Sequence, residues 1–318
     1  MTIIDKILSQ KEFHDRPPVL LDIGASGEMY RFWKKIAKYA VCIAFDADDR
    51  ELSYTVKDNA GYKKLFLYNC IVTNGENKQQ TFYLTSSPYC SSTLPPFEEK
   101  LNVWAFADLF SLNKKVELNS NNIPSVLKEL NIDYIDWFKT DSQGTDLRLF
   151  ESIQQELKDK ILAADFEPGI IDAYKGEDKL FALVDYMKDK PYWMNDLFIK
   201  GSQRINLSFV GNKISNKTQR NIQYLIKHSP NWGEVSFLNT FENFDTFSKR
   251  DVLLGIVFSM ILKQYGFALE LAIKGNAKFD DPIFQMIEKH CISKINFNLI
   301  RYSKFILLKV LRKYFNVH

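Results

Sequence analysis

Two acidic residues stand where a parallel sheet would hold them against a nucleoside. Asp22-Ile23-Gly24-Ala25-Ser26-Gly27 closes a continuous apolar run from Val19. Such a run has the pattern of a buried parallel strand, and open α/β sheets bind ligands just beyond it. The segment reads DxGxxG, with an acid where the dinucleotide fingerprint GxGxxG has its first glycine. An Asp there repels a pyrophosphate and attracts a cationic sulfonium. Gly24 and Gly27 let backbone approach a ligand, because glycine lacks the Cβ that obstructs positive φ. A second apolar run, Val41 to Phe45, ends in Asp46, 19 residues beyond Gly27. A carboxylate at that spacing can accept both hydroxyls of a ribose, with Asp48 as a substitute. Together these residues point to S-adenosylmethionine as the cofactor. Gly24, Ala25 and Gly27 would lie along it, and Asn69 and Cys70 beside its adenine.

Methyl transfer to a hydroxyl requires alignment and a proton acceptor. Asp141 ends the fourth parallel strand and is the candidate base; its competing role is to cap the helix that begins near Gly144. Lys139, two residues earlier, shares its face of the strand and is expected to pair with it, lowering its pKa. Glu167, at the next strand end, completes the candidate catalytic set. Asp165 and Glu167 could also join Asp141 around magnesium, which takes oxygen ligands, although no metal is assigned. Ser91, Ser92 and Thr93 offer hydroxyls to an acceptor or to the cofactor's carboxylate, or form a solvated loop. A Ser-His-Asp nucleophile elbow and a GxxxxGK[ST] loop are both missing, which excludes that hydrolase chemistry and a P-loop.

Alternation of short β-rich runs with helical stretches must position these groups. Val19–Ile23, Val41–Phe45, Lys64–Val72, Tyr134–Thr140 and Ile161–Phe166 read as strands, with Gln80–Thr85 paired nearby. Met29–Tyr39 and Thr145–Lys158 read as helices, the second from Leu147, Phe150, Ile153 and Leu157 at helical spacing. The fold class is therefore α/β, a Rossmann-like parallel sheet with helices on both faces. The β signal ends at Asn212, and a helical appendage follows. The expected domains are 1–213, binding the cofactor, and 214–318.

The 318 residues are 46% hydrophobic and 25% charged, which excludes disorder and collagen. Cys42, Cys70, Cys90 and Cys291 form no CxxC pair and fit a reducing compartment. The first 16 residues carry acids and no long apolar core, unlike a secretory signal, and Val252–Leu262 is too short to span a bilayer. A cytoplasmic location is expected. Residues 289–318 hold seven Lys and Arg and no acid. The helix expected at Asn298–Phe315 sets Ile300, Leu307, Leu308, Leu311 and Phe315 near one face. It could lie on an anionic membrane, recruit another anionic partner, or pack on its own domain. No nucleic-acid partner is expected.

Val19-Leu20-Leu21-Asp22-Ile23-Gly24-Ala25-Ser26-Gly27 resembles the cofactor loop of the FkbM-type methyltransferases, and Phe45-Asp46-Ala47-Asp48 their acidic second-strand end. Asn69-Cys70-Ile71-Val72, Gln80-Thr81-Phe82-Tyr83 and Ser91-Ser92-Thr93-Leu94 are similar to the third strand, hairpin and serine-rich loop of that family. Lys139-Thr140-Asp141-Ser142-Gln143-Gly144-Thr145-Asp146 resembles its Lys-x-Asp-x-Glu-Gly-x-Glu pattern, with Gln143 and Asp146 in place of two glutamates. The likeness covers roughly residues 19 to 212. It implies a class I methyltransferase sheet and an S-adenosylmethionine-dependent O-methyltransferase acting on a glycan or related metabolite. Against this stands a non-catalytic nucleoside-binding module that recruits an anionic partner through its basic C-terminus. A nicotinamide-dependent oxidoreductase is disfavoured by Asp22.

Overall fold

The computed structural model describes residues 1–25, 29–48, 50, 57–75 and 79–315, without the side chains of 298–301, 304 and 307–315. Gly27 lies outside the described residues. The chain divides into two compact units, Pro17–Glu242 and the combination of Met1–Arg16 with Asn243–His318.

Among the described residues, ten strands build the larger unit: β1 Val19–Ile23, β2 Val41–Phe45, β3 Lys64–Tyr68, β4 Ile71–Val72, β5 Gln79–Thr85, β6 Leu112–Asn121, β7 Trp137–Thr140, β8 Ala163–Phe166, β9 Tyr192–Gln203 and β10 His228–Asn239. Seven of them form one sheet in the order β3-β2-β1-β7-β8-β10-β9. The first five run parallel, and β10 runs antiparallel to both β8 and β9. Every residue of β1 and of β8 is buried, as expected of parallel strands covered on both faces. The core gathers Val19, Leu21, Phe138, Phe150, Phe166 and Phe237 among its members. β4, β6 and β5 make a second, three-stranded sheet.

Four expectations change. The β signal does not end at Asn212, because β10 enters the main sheet. Its burial alternates along Trp232-Gly233-Glu234-Val235-Ser236-Phe237 with the period of a half-covered strand, but Pro230, Asn231 and Gly233, types that strands disfavour, break the run in sequence. The predicted boundary at 213/214 accordingly gives way to breaks at 16/17 and 242/243. The segment Lys64–Val72 is split between two sheets at Asn69-Cys70. The expected helix Met29–Tyr39 is a pair of 3-10 turns, Trp33–Lys35 and Ala37–Tyr39, with Trp33 and Ile36 buried three residues apart. The helical run from Thr145 divides into Asp146–Glu151 and Gln155–Lys158.

The smaller unit is helical: Ile3–Leu8, Lys11–Asp15, Lys249–Ile261, Tyr265–Phe279 and Pro282–Phe315. Ser248 and Asp251 form a capping box at the start of Lys249–Ile261. Beyond it Val252 to Ile261 are all buried, so this helix is apolar on every side and sits at the centre of its unit. Lys249 ties three helices together through Glu12 at 2.7 Å and Asp281 at 2.6 Å. The last helix begins 16 residues before the expected Asn298. Among the described residues no helix is long and apolar enough to cross a membrane.

Gly275 lets two helices meet closely: a Cβ placed there would lie 2.4 Å from Phe284 Cε1. Gly275→Val is expected to destabilise this unit by about 2–3 kcal/mol, the cost of overpacking a tight contact, read as a lowered urea midpoint against wild type.

Candidate active site

The carboxyl ends of β1, β2 and β7 meet at one cleft, and the register explains why. Asp22 and Lys139 are direct partners across β1 and β7. Lys139 Nζ lies 2.8 Å from Asp22 Oδ1 and 3.2 Å from the Gly24 carbonyl. Burial lowers the pKa of Lys139, but Asp22, with Asp141 and Glu167 nearby, outweighs that and raises it. The expected pairing of Lys139 with Asp141 is thus replaced by one with Asp22. Cross-strand register brings Asp22 opposite the amine, whereas Asp141 lies past the end of β7. Asp22, only 2% exposed, spends its charge on Lys139 and does not line the cleft. A direct grip on a sulfonium by Asp22 is therefore corrected.

Gly24 has φ +75, and a Cβ there would stand 2.2 Å from the Asp141 carbonyl oxygen. Its N–H and that of Ala25 donate to the Phe45 carbonyl at 3.0 and 2.9 Å, while Asp141 N–H donates to Ile23. Gly24 therefore serves first to let three strand ends close together. It lines the cleft; Ala25 is buried behind it.

The cleft encloses about 80 Å³, and Ile23, Gly24, Phe45, Asp46, Cys70 and Asp141 are among its walls. Asp46 is 7% exposed. Its Oδ1 accepts from Asp48 N–H at 2.8 Å, while its buried Oδ2 has no hydrogen-bond donor. Burial pushes its pKa up to about 6, against the lowering effect of that N–H. A buried oxygen left without a donor is costly, and this one is free to accept a hydrogen bond. Asp48 is engaged by the Arg50 guanidinium, which also reaches Ser91 Oγ at 2.9 Å. Cys70 lines the cleft; Asn69 is exposed and instead donates to the Asp46 carbonyl at 3.1 Å.

Asp141 does not cap the helix. Among the described residues no side chain caps that helix, Asp146–Glu151; Asp146, 1% exposed, instead accepts at Oδ1 from Thr140 Oγ1 at 3.0 Å and Ser142 N at 2.9 Å, and at Oδ2 from Glu167 N at 2.9 Å. Asp146 thereby ties the end of β7 to the end of β8. Asp141 is left to accept from Gln143 Nε2 at 2.5 Å. Gln143 sits at φ 56, its carbonyl held by Ser92 Oγ at 2.7 Å, and its Oε1 lies 2.9 Å from Tyr174 Oη. A non-glycine residue in the left-handed region is uncommon, and here it aims the amide at Asp141.

Asp141, Gln143 and Tyr89 are shared with an adjoining cavity of about 460 Å³. Phe106, Phe110, Tyr174 and Trp232 supply its rings, with Phe110 and Tyr174 5.6 Å apart. Asn231, 2% exposed, also lines it, its Nδ2 without an acceptor. Glu167 reaches this cavity too. Burial first, then the Asp141 charge, raises the pKa of Glu167, and burial raises that of Asp141. Two carboxyls so placed titrate as one system. Asp165 points elsewhere, accepting from Trp137 Nε1 at 2.6 Å. Among the described residues no three His, Cys, Asp or Glu side chains group to hold a metal ion.

Gln143, Asp146, Asn231 and the aromatic wall were not singled out from sequence as site residues. Gln143 and Asp146 stood within the quoted motif, whereas Asn231 carries no local signal. Comparison with protein-family models, curated proteins and solved structures finds no match to the chain.

The raised pKa of Asp141 means that folding favours its protonated form, so its charge opposes folding once pH exceeds the folded value. Asp141→Asn is expected to raise stability at pH 8 by an order of 1–2 kcal/mol, with the gain vanishing below pH 4. Asp146→Ala should do the reverse, costing about 2–4 kcal/mol by stranding buried donors. Urea unfolding at the two pH values reads both.

Proposed function

We propose that the chain is an S-adenosylmethionine-dependent O-methyltransferase of the FkbM type. The observation that carries this reading is the unsatisfied Asp46 Oδ2 in a cleft also lined by Asp141, which is shared with a second, aromatic-lined cavity. The sheet order supports it as well. An antiparallel last strand between the fifth and sixth is the class I methyltransferase arrangement, distinct from the 3-2-1-4-5-6 order of the dinucleotide fold.

The residues present fit the cofactor. Asp46 would accept the ribose hydroxyls, Gly24 would let backbone lie against the ligand, and Cys70, Ile71, Val72 and Phe82 would flank the adenine. When bound, S-adenosylmethionine supplies an electrophilic methyl group. Asp141 takes the proton from the acceptor hydroxyl, its raised pKa making it a stronger base than an ordinary carboxylate. Gln143 holds that carboxylate in place. Glu167, still protonated where Asp141 has ionised, can donate a hydrogen bond to the acceptor. Lys139 acts indirectly, holding β1 against β7. The acceptor cavity combines ring faces with the amides of Asn231 and Gln203, surfaces that suit a polyhydroxylated sugar.

Titration calorimetry with S-adenosylhomocysteine and NAD tests the assignment. Micromolar binding of the first alone is expected, and binding of NAD instead, or of neither, would overturn it. Asp46→Asn should cost about 1.5–3 kcal/mol, the value of hydrogen bonds to a charged acceptor. Because the ionised form binds, wild-type affinity should fall as pH drops through about 6, while Asp46→Asn should titrate more flatly there. Asp141→Asn should keep cofactor affinity and lose methyl transfer.

A further inference from the structure

We propose that β9 is a dimerisation edge, along which two copies of this chain pair antiparallel about a two-fold axis through Phe198. β9 is the last strand of the sheet, bonded to β10 on one side. Four consecutive residues in its middle, Asp196, Leu197, Phe198 and Ile199, are exposed, the apolar three at 41%, 56% and 41%. Successive strand residues point to opposite faces, so exposure of all four means that neither face of the edge is covered there. The Leu197 N–H donates to Asp196 Oδ1 at 2.9 Å rather than to β10. It therefore points outward, as must that of Ile199 by the alternation of an antiparallel ladder.

Self-pairing about Phe198 sets Leu197 opposite Ile199 of the second copy, so that outward backbone groups meet. It also sets Asp196 opposite Lys200 of the second copy, twice by symmetry, each Lys200 amine then being shared with the Glu234 carboxylate it meets at 3.0 Å in its own chain, and Phe198 opposite itself. Moving the axis to Asp196 or Lys200 would oppose like charges, which is destabilising; moving it to Leu197 or Ile199 would lose both charge pairs. Charges on an edge normally forbid pairing. Here their spacing permits one register, and an isologous two-fold contact follows.

Phe198→Cys in the full chain tests the register. The pair at the axis is a non-hydrogen-bonded one, with Cα atoms about 4.5 Å apart, within disulfide reach. The four native cysteines are buried and should not compete. Mild oxidation should yield a covalent dimer with Phe198→Cys and with Asp196→Cys/Lys200→Cys, but not with Asp196→Cys alone. In analytical ultracentrifugation, Asp196→Lys should weaken the dimer about tenfold, and adding Lys200→Asp should restore it, with circular dichroism unchanged. A wild-type monomer at tens of micromolar, or equal cross-linking by all three cysteine variants, would overturn the proposal.

Discussion

The ion pair between Lys139 and Asp22 joins β1 to β7 at the point where both strands stop, and the geometry of the cleft follows from that seam. With the amine also on the Gly24 carbonyl, the turn after β1 is drawn down onto the Asp141 backbone. Any side chain at position 24 would collide there, so the glycine and the salt bridge act as one device. A buried pair of this kind adds little net stability, yet removing one partner strands the other's charge. Its value lies in geometry: it fixes where Asp141 emerges from the sheet.

Around this seam the chain treats its carboxylates in two ways. Asp146 is satisfied by hydrogen bonds and holds strand ends together. Burial raises the pKa of all four, but Asp46, Asp141 and Glu167 face the cleft or the adjoining cavity rather than joining strand ends. Carboxyls kept this way hold unfavourable free energy in the folded state, at the expense of stability. Gln143, in an uncommon backbone conformation, belongs to the same economy, since its amide orients Asp141 between the two cavities.

The appendage obeys different rules. Its central helix is apolar all round and is enclosed by neighbours contributed from both ends of the chain, with Lys249 binding Glu12 and Asp281. Short amphipathic helices at the N-terminus could not be assigned to this unit from local pattern, because what they bury is more than two hundred residues away in sequence.

By itself the sequence determined the parallel half of the sheet, since runs such as Val19–Ile23 and Val41–Phe45 are apolar on both faces and admit little else. It placed Asp46 and Asp141 at strand ends, because period and turn residues locate those ends locally. Tertiary structure alone decided the rest. β10 carries Pro230, Asn231 and Gly233, which weaken any local strand signal, and it becomes a strand only by lying between β8 and β9. Lys139 chose Asp22 over the nearer-in-sequence Asp141 because cross-strand register, not chain distance, sets which charges meet in a low-dielectric interior. Asn231 and the aromatic wall come from segments far apart in the chain, and only folding brings them to one cavity.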